Sequence, residues 1–182
     1  MPRLLSLAGL LLLAGAASAA DPKIENLSAI ASNGKVSVRF SLANVFRNGE
    51  MVEALESGLP TSFTYTVEIF RDRPNWFDDG LDRSRIDVIC TFNAVTREYL
   101  LNYRRDRKLV RSEVFGDLES LKERMTRINE PDLFDIGRRT PFKLKVRVKA
   151  DLMRGRWLYV VPWEISTRWR ETRVKRLETL QK

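Results

Sequence analysis

The stretch from Asn48 to Arg71, NGEMVEALESGLPTSFTYTVEIFR, places a helix, its stop signal and a strand in unbroken succession, and it constrains the backbone more than any other segment. Asn48 is expected to cap a helix running through Glu56, with Val52 and Leu55 on its apolar side. Gly58 supplies the left-handed residue that ends such a helix, and Pro60 forbids its continuation. From Ser62 the period changes to two: Phe63, Tyr65, Val67 and Ile69 alternate with Thr64, Thr66, Glu68 and Phe70. That alternation predicts a half-buried strand.

The same period recurs along the chain. Segments 24–32 and 35–44 flank Asn33-Gly34, the pair favoured by a two-residue hairpin turn, so they read as the first two strands. Residues 72–83, rich in Pro, Asp and Gly, read as a loop pinned by Trp76 and Phe77. Residues 84–94 and 97–105 alternate again, as one long bent strand or two consecutive ones. A polar turn at 104–108 leads into 109–115, and Asp117 then caps a second helix whose Leu118, Leu121, Met125 and Ile128 share a face, closed by Pro131. The clearest strand sets Phe142, Leu144, Val146, Val148, Ala150 and Leu152 against Lys143, Lys145, Arg147, Lys149 and Asp151. Trp163, Ile165, Thr167 and Trp169 form a last alternating set, taken to point inward. The fold class expected is mainly β with two short helices: a single-domain antiparallel β-sandwich or partly closed barrel of seven to eight strands over 21–169, followed by a basic C-terminal tail, 170–182. That tail reads as a frayed terminus or a short amphipathic helix.

Residues 1–20 read as a secretory signal peptide, with Arg3 ahead of an apolar run and Ala17-Ser18-Ala19 as a small-residue cleavage site. The apolar run is shorter than the roughly 20 residues of a spanning helix. Export makes the formal charge of +8 a matter of anionic lipid, wall polymers and acidic proteins, and no nucleic-acid partner is expected. The single cysteine, Cys90, is in step with Ile86, Val88 and Phe92 and reads as a buried thiol.

Taken together, this order of elements and the segment ALESGLPTSFTYTVEIFR resemble an exported bacterial family catalogued as domain of unknown function 4390. The resemblance is carried by Glu53-Ala54-Leu55 leading to Gly58-Leu59-Pro60, by Tyr99, by the helix from Leu118 to Met125, and by Trp163, Ser166 and Trp169. It implies a fold and an envelope location, and members of the family are often encoded near a membrane sensor kinase, which points to a signalling partner. It implies no catalytic residue. The basic segment after Trp169 departs from the family pattern.

Without a histidine, and with one cysteine, the chain cannot build a histidine-dependent triad or the usual zinc sites. Ser32-Asn33-Gly34-Lys35 has the spacing of a serine acyl-enzyme motif but straddles a hairpin turn instead of opening a helix. Asp78, Asp79 and Asp82 lack the spacing of a calcium loop and read as a solvated turn answering Arg71, Arg73, Arg83 and Arg85. Glu53 and Glu56 read as an exposed helix face, and Asn26-Leu27-Ser28 is a glycosylation sequon only in a eukaryotic secretory path. No cofactor or metal is expected.

What remains is a basic sheet face. Lys143, Lys145, Arg147 and Lys149 recur about 6–7 Å apart on one side of their strand, and Arg168 and Arg170 would join them if Trp163 and Trp169 turned inward. The expected function is a non-enzymatic binding module whose basic face takes anionic lipid or an acidic envelope protein such as a membrane sensor. The alternative is a periplasmic enzyme using carboxylates. On this reading Arg147 faces water and tolerates replacement, whereas Val146 does not.

Overall fold

The computed structural model describes residues 21–47, 49–72, 79–137, 143–154 and 164–176. The expected leader therefore lies outside the described residues, as do Asn48, Arg73, Trp76, Phe77, Asp78, Phe142 and Trp163. Strands β1 (Lys23–Ser32) and β2 (Lys35–Ala43) form the hairpin expected at Asn33-Gly34, both turn residues having left-handed φ, 51° and 80°. Helix α1 (Glu50–Glu56) buries Met51, Ala54 and Leu55. Val52, expected on that apolar side, is only half buried, and Gly49 occupies the cap position without a side-chain bond. Gly58 ends the segment at φ 77°, and β3 (Thr61–Arg71) follows with Phe63, Tyr65, Val67 and Ile69 fully buried.

Strand β4 (Asp79–Asn93) begins inside the expected loop: Asp79, Gly80, Asp82 and Arg83 already pair with β3. Two strands follow, β5 (Glu98–Arg105) and β6 (Lys108–Phe115), each antiparallel to its predecessor. Helix α2 (Leu118–Thr126) has the expected cap, the Asp117 carboxylate accepting from the Ser120 N–H at 2.8 Å. It ends at Thr126, before Ile128 and Pro131, which belong instead to β7 (Arg127–Asp135). A proline is tolerated there because β7 is an edge strand, one side of whose backbone meets no neighbouring strand among the described residues.

Strands β8 (Leu144–Arg154), β9 (Glu164–Ser166) and β10 (Arg170–Arg176) complete the chain. Strands β9 and β10 lie end to end along one side of β8, joined at Thr167, whose N–H donates to the Ala150 carbonyl at 2.8 Å while its Oγ1 accepts from the Ala150 N–H at 2.9 Å. Strand β10 corrects the expectation of a tail after Trp169. It is neither frayed nor helical but is hydrogen-bonded between β8 and β1, pairing in parallel with β1, the one departure from antiparallel pairing among the described strands.

The sheet order is β6-β5-β4-β3-β8-β10-β1-β2-β7, one curled sheet forming a half-barrel in a single domain. This is the partly closed barrel of the two expected architectures. It has more strands than the expected seven to eight because β7 and β10 fall where a helix end and a tail are expected. The core fills the concave side, where Phe40, Phe63, Tyr65, Leu121, Met125 and Phe134 are buried. Among the described residues no backbone ladder joins edges β6 and β7. Helix α2 bridges the gap, with Arg124 on Glu113 of β6 at 2.8 Å and the Tyr65 hydroxyl donating to the Met125 carbonyl at 2.8 Å. Beside it the Tyr103 hydroxyl of β5 donates to buried Glu130 of β7 at 2.5 Å, and Arg105 adds a contact at 3.3 Å.

Candidate functional site

Because the period of β8 is two, Lys145, Arg147 and Lys149 do share its outer face, as expected. Register then decides what they meet. Pairing of β3 with β8 sets Glu68 opposite Arg147, and pairing of β3 with β4 sets Arg83 opposite the same Glu68. Arg147 Nε donates to Glu68 Oε2 at 2.6 Å, and Arg83 approaches the other carboxylate oxygen. The Arg147 guanidinium also lies 5.4 Å from the Phe70 ring centroid and 4.9 Å from that of Trp169. Lys145 pairs with Asp72 at 2.8 Å and Lys149 with Asp151 at 2.8 Å.

These pairs set the ionisation of the acids. Burial by itself would raise Glu68, but hydrogen bonds and charge from Arg147 and Arg83 hold it below its usual range. The Lys145 hydrogen bond depresses Asp72. Burial opposes, and Lys149 with Ser166 outweighs it, at Asp151. The middle of the expected basic row is thus a compensated strap across β3 and β8.

The remaining three residues of the expected site lie elsewhere. Lys143 is exposed at the end of the row and faces a hollow of about 290 Å³ shared with Arg173 and Val174 of β10. Arg170 sits opposite Val148, which places it on the concave-side parity, away from Arg147. The reason is that Trp169 does not turn inward: it is 41% exposed, with its ring against Arg147. Arg168 and Arg170 instead line a cleft of about 720 Å³ together with Ile24, Asn44, Ile165 and Trp169.

The cleft exists because two parallel strands diverge. Strand β1 meets β10 only from Ala29 to Ala31, and between Glu25 and Ser28 a register shift, with Asn26 at φ 53°, turns its start away. Neither Arg168 nor Arg170 has an ion-pair partner among the described residues. Lys23 at the same mouth is held by Glu25 at 2.7 Å, and Asp21 is itself among the residues that line the cleft. Reasoning from sequence missed Trp169 and Ile165 as cleft walls. The phase of Thr172 and Val174, half buried while their neighbours are exposed, is the signal that sets which way Arg170 points.

The carboxylates weighed as an acid–base pair or as calcium ligands do not converge. Glu53 and Glu56 are exposed on α1, Asp79 pairs with Arg71 at 3.3 Å, and Asp82 accepts from the Arg83 N–H at 2.8 Å. No group of three or more potential metal ligands forms among the described residues. Ser32 and Lys35 face each other across the β1–β2 turn.

A family model described as Domain of unknown function (DUF4390) matches residues 19–172. No curated protein and no solved structure matches.

Proposed function

Given that the chain belongs to the family described as Domain of unknown function (DUF4390), we propose that it is an exported bacterial envelope protein acting as a non-enzymatic binding module. Its ligand is an acidic segment of another envelope protein, taken into the cleft between the starts of β1 and β10. The observation that carries this reading is the pairing state of the arginines. Arg168 and Arg170 flank an exposed tryptophan in a recessed cleft and have no ion-pair partner among the described residues, whereas Lys145, Arg147 and Lys149 already hold carboxylates. A guanidinium presents a planar fork to a carboxylate, and an adjacent indole face shelters the contact from water.

Concavity favours a polypeptide over a bilayer, since a flat lipid surface reaches protruding cations more readily than recessed ones. The carboxylate-enzyme alternative gains less support. A general acid needs its carboxyl raised toward neutrality, and Glu68 is held in the opposite direction by two arginines.

The test is a fluorescence titration with a glutamate-rich peptide and, separately, with phosphatidylglycerol vesicles. Peptide binding that weakens with salt and falls about tenfold in an Arg168→Ala/Arg170→Ala variant, but not in Lys149→Ala, is the expected result. Binding of vesicles alone moves the partner to lipid, and binding of neither refutes the reading. Export is checked by the mass of the protein recovered from cells, expected to begin at Ala20 or Asp21.

A further inference from the structure

Strand β10 changes neighbours midway, and each change leaves a gap. Its first residues, Arg170 to Arg173, pair with β8, and its last, Val174 to Arg176, pair with β1. The first gap, on the β1 side, is the cleft at Arg168 and Arg170. The second, between the start of β8 and the end of β10, is the hollow of about 290 Å³. Leu144, Val174 and Ala31 form its apolar floor, and Lys143, Arg173 and Arg176 form its rim. Among the described residues no acid lines it.

The register of the sheet concentrates positive charge there. Arg173 lies directly opposite Lys145, a like-charge pair that by itself weakens a sheet. Asp72 holds Lys145 at 2.8 Å, and Lys143 and Arg173 act on the same carboxylate only through their charge. Neither of the two has an ion-pair partner among the described residues. Three cations against one carboxylate leave two positive charges uncompensated, a balance that does not depend on Arg176. Both walls are fixed by backbone: the Asp72 N–H donates to the Lys143 carbonyl at 2.8 Å, and Arg173 is laddered to β8.

We propose that this hollow binds a phosphate monoester group, at a site separate from the cleft. A dianion answers both uncompensated charges, whereas one carboxylate answers half of them. The Arg173 guanidinium presents a planar fork to phosphate oxygens, and Lys143 adds a point charge from the other wall. The volume lies at the small end of ligand pockets, roughly 300–1,000 Å³, which suits a compact headgroup. A small soluble phosphate ester and the headgroup of phosphatidic acid offer this same chemistry.

The charge count makes pH diagnostic. The groups facing the hollow are Lys143 and Lys145 from β8, Arg173 and Arg176 from β10 and Asp72 just after β3, while β1 contributes only Ala31. Between about pH 5 and pH 8 the cations stay protonated, and Asp72, held below its usual range by the Lys145 hydrogen bond, stays ionised. A phosphate monoester takes its second charge near pH 6, so calorimetric titration with glycerol 3-phosphate at fixed ionic strength is expected to show about tenfold tighter binding at pH 8 than at pH 5. Lys143→Ala/Arg173→Ala is expected to weaken that binding about tenfold with an unchanged circular dichroism spectrum, since both side chains are exposed. Arg168→Ala/Arg170→Ala leaves it unchanged. Vesicles separate the two sources. Recruitment to phosphatidic acid vesicles that is lost in Lys143→Ala/Arg173→Ala assigns the group to a lipid headgroup, and binding of glycerol 3-phosphate alone assigns it to a soluble ester. The proposal is overturned if neither probe binds, if affinity is equal at the two pH values, or if phosphatidylglycerol vesicles, whose diester carries one charge, recruit the protein equally well. A loss that follows Arg168→Ala/Arg170→Ala instead would put the anion in the cleft and overturn it too.

Discussion

Replacing Arg147 with alanine tests how the outer face is held together. From the alternation of β8, Arg147 points to water and should be dispensable. In the fold it donates to a carboxylate that is only 9% exposed and lies against two aromatic rings. A hydrogen bond to a charged group contributes about 1.5–3 kcal/mol, and each exposed cation–π contact adds about 0.5–1 kcal/mol. Two facts pull the total down: Glu68 keeps Arg83, and Arg147 is itself 35% exposed, so solvent screens the pair. The expected loss is therefore about 2–3 kcal/mol, which for a domain of this size lowers the melting temperature by about 4–12 °C. Lys149→Ala is the control. Its ion pair is half-buried, but Asp151 retains the Ser166 hydroxyl when Lys149 is lost, and the loss should stay at about 1 kcal/mol. The pH dependence follows from the depressed Glu68. A carboxyl whose folded value lies below its unfolded one stabilises fully above the unfolded value, about 4.3, and loses that contribution as pH falls through the lower folded value. Denaturant melts of parent and Arg147→Ala should thus differ most at neutral pH and converge in acid. Equal losses for Arg147→Ala and Lys149→Ala, or a gap that persists in acid, would refute the strap.

Val146 is fully buried opposite Ile69, so Val146→Asp should lose about 3–5 kcal/mol as an unpaired buried charge, read by denaturant unfolding. Truncation after Trp169 should abolish the cooperative melt, because removing β10 exposes the facing edges of both β8 and β1; a truncated chain that melts at the parent temperature would mean the strand contributes nothing. Cys90 should resist thiol reagents at neutral pH until the protein is denatured, since burial pushes its thiol up to about 12 and the thiolate is the reactive form.

Sequence by itself determined the elements whose signals are local. The Asn33-Gly34 hairpin, the Gly58 stop, the Asp117 cap and the buried faces of β3 and β8 follow from turn chemistry and from alternation, which a few consecutive residues contain completely. Strands β7 and β10 were not legible. Pro131 imitates a helix stop, and RETRVKR has almost no apolar period; each is a strand because a distant neighbour satisfies its backbone. The basic face shows the same division. Which side of β8 carries the lysines is a matter of parity, but whether those cations are open or compensated depends on register, and the carboxylate that meets Arg147 is 79 residues away in the chain. Likewise the cleft at Arg168 and Arg170 comes from the divergence of two strands at opposite ends of the sequence, which only the assembled sheet brings side by side.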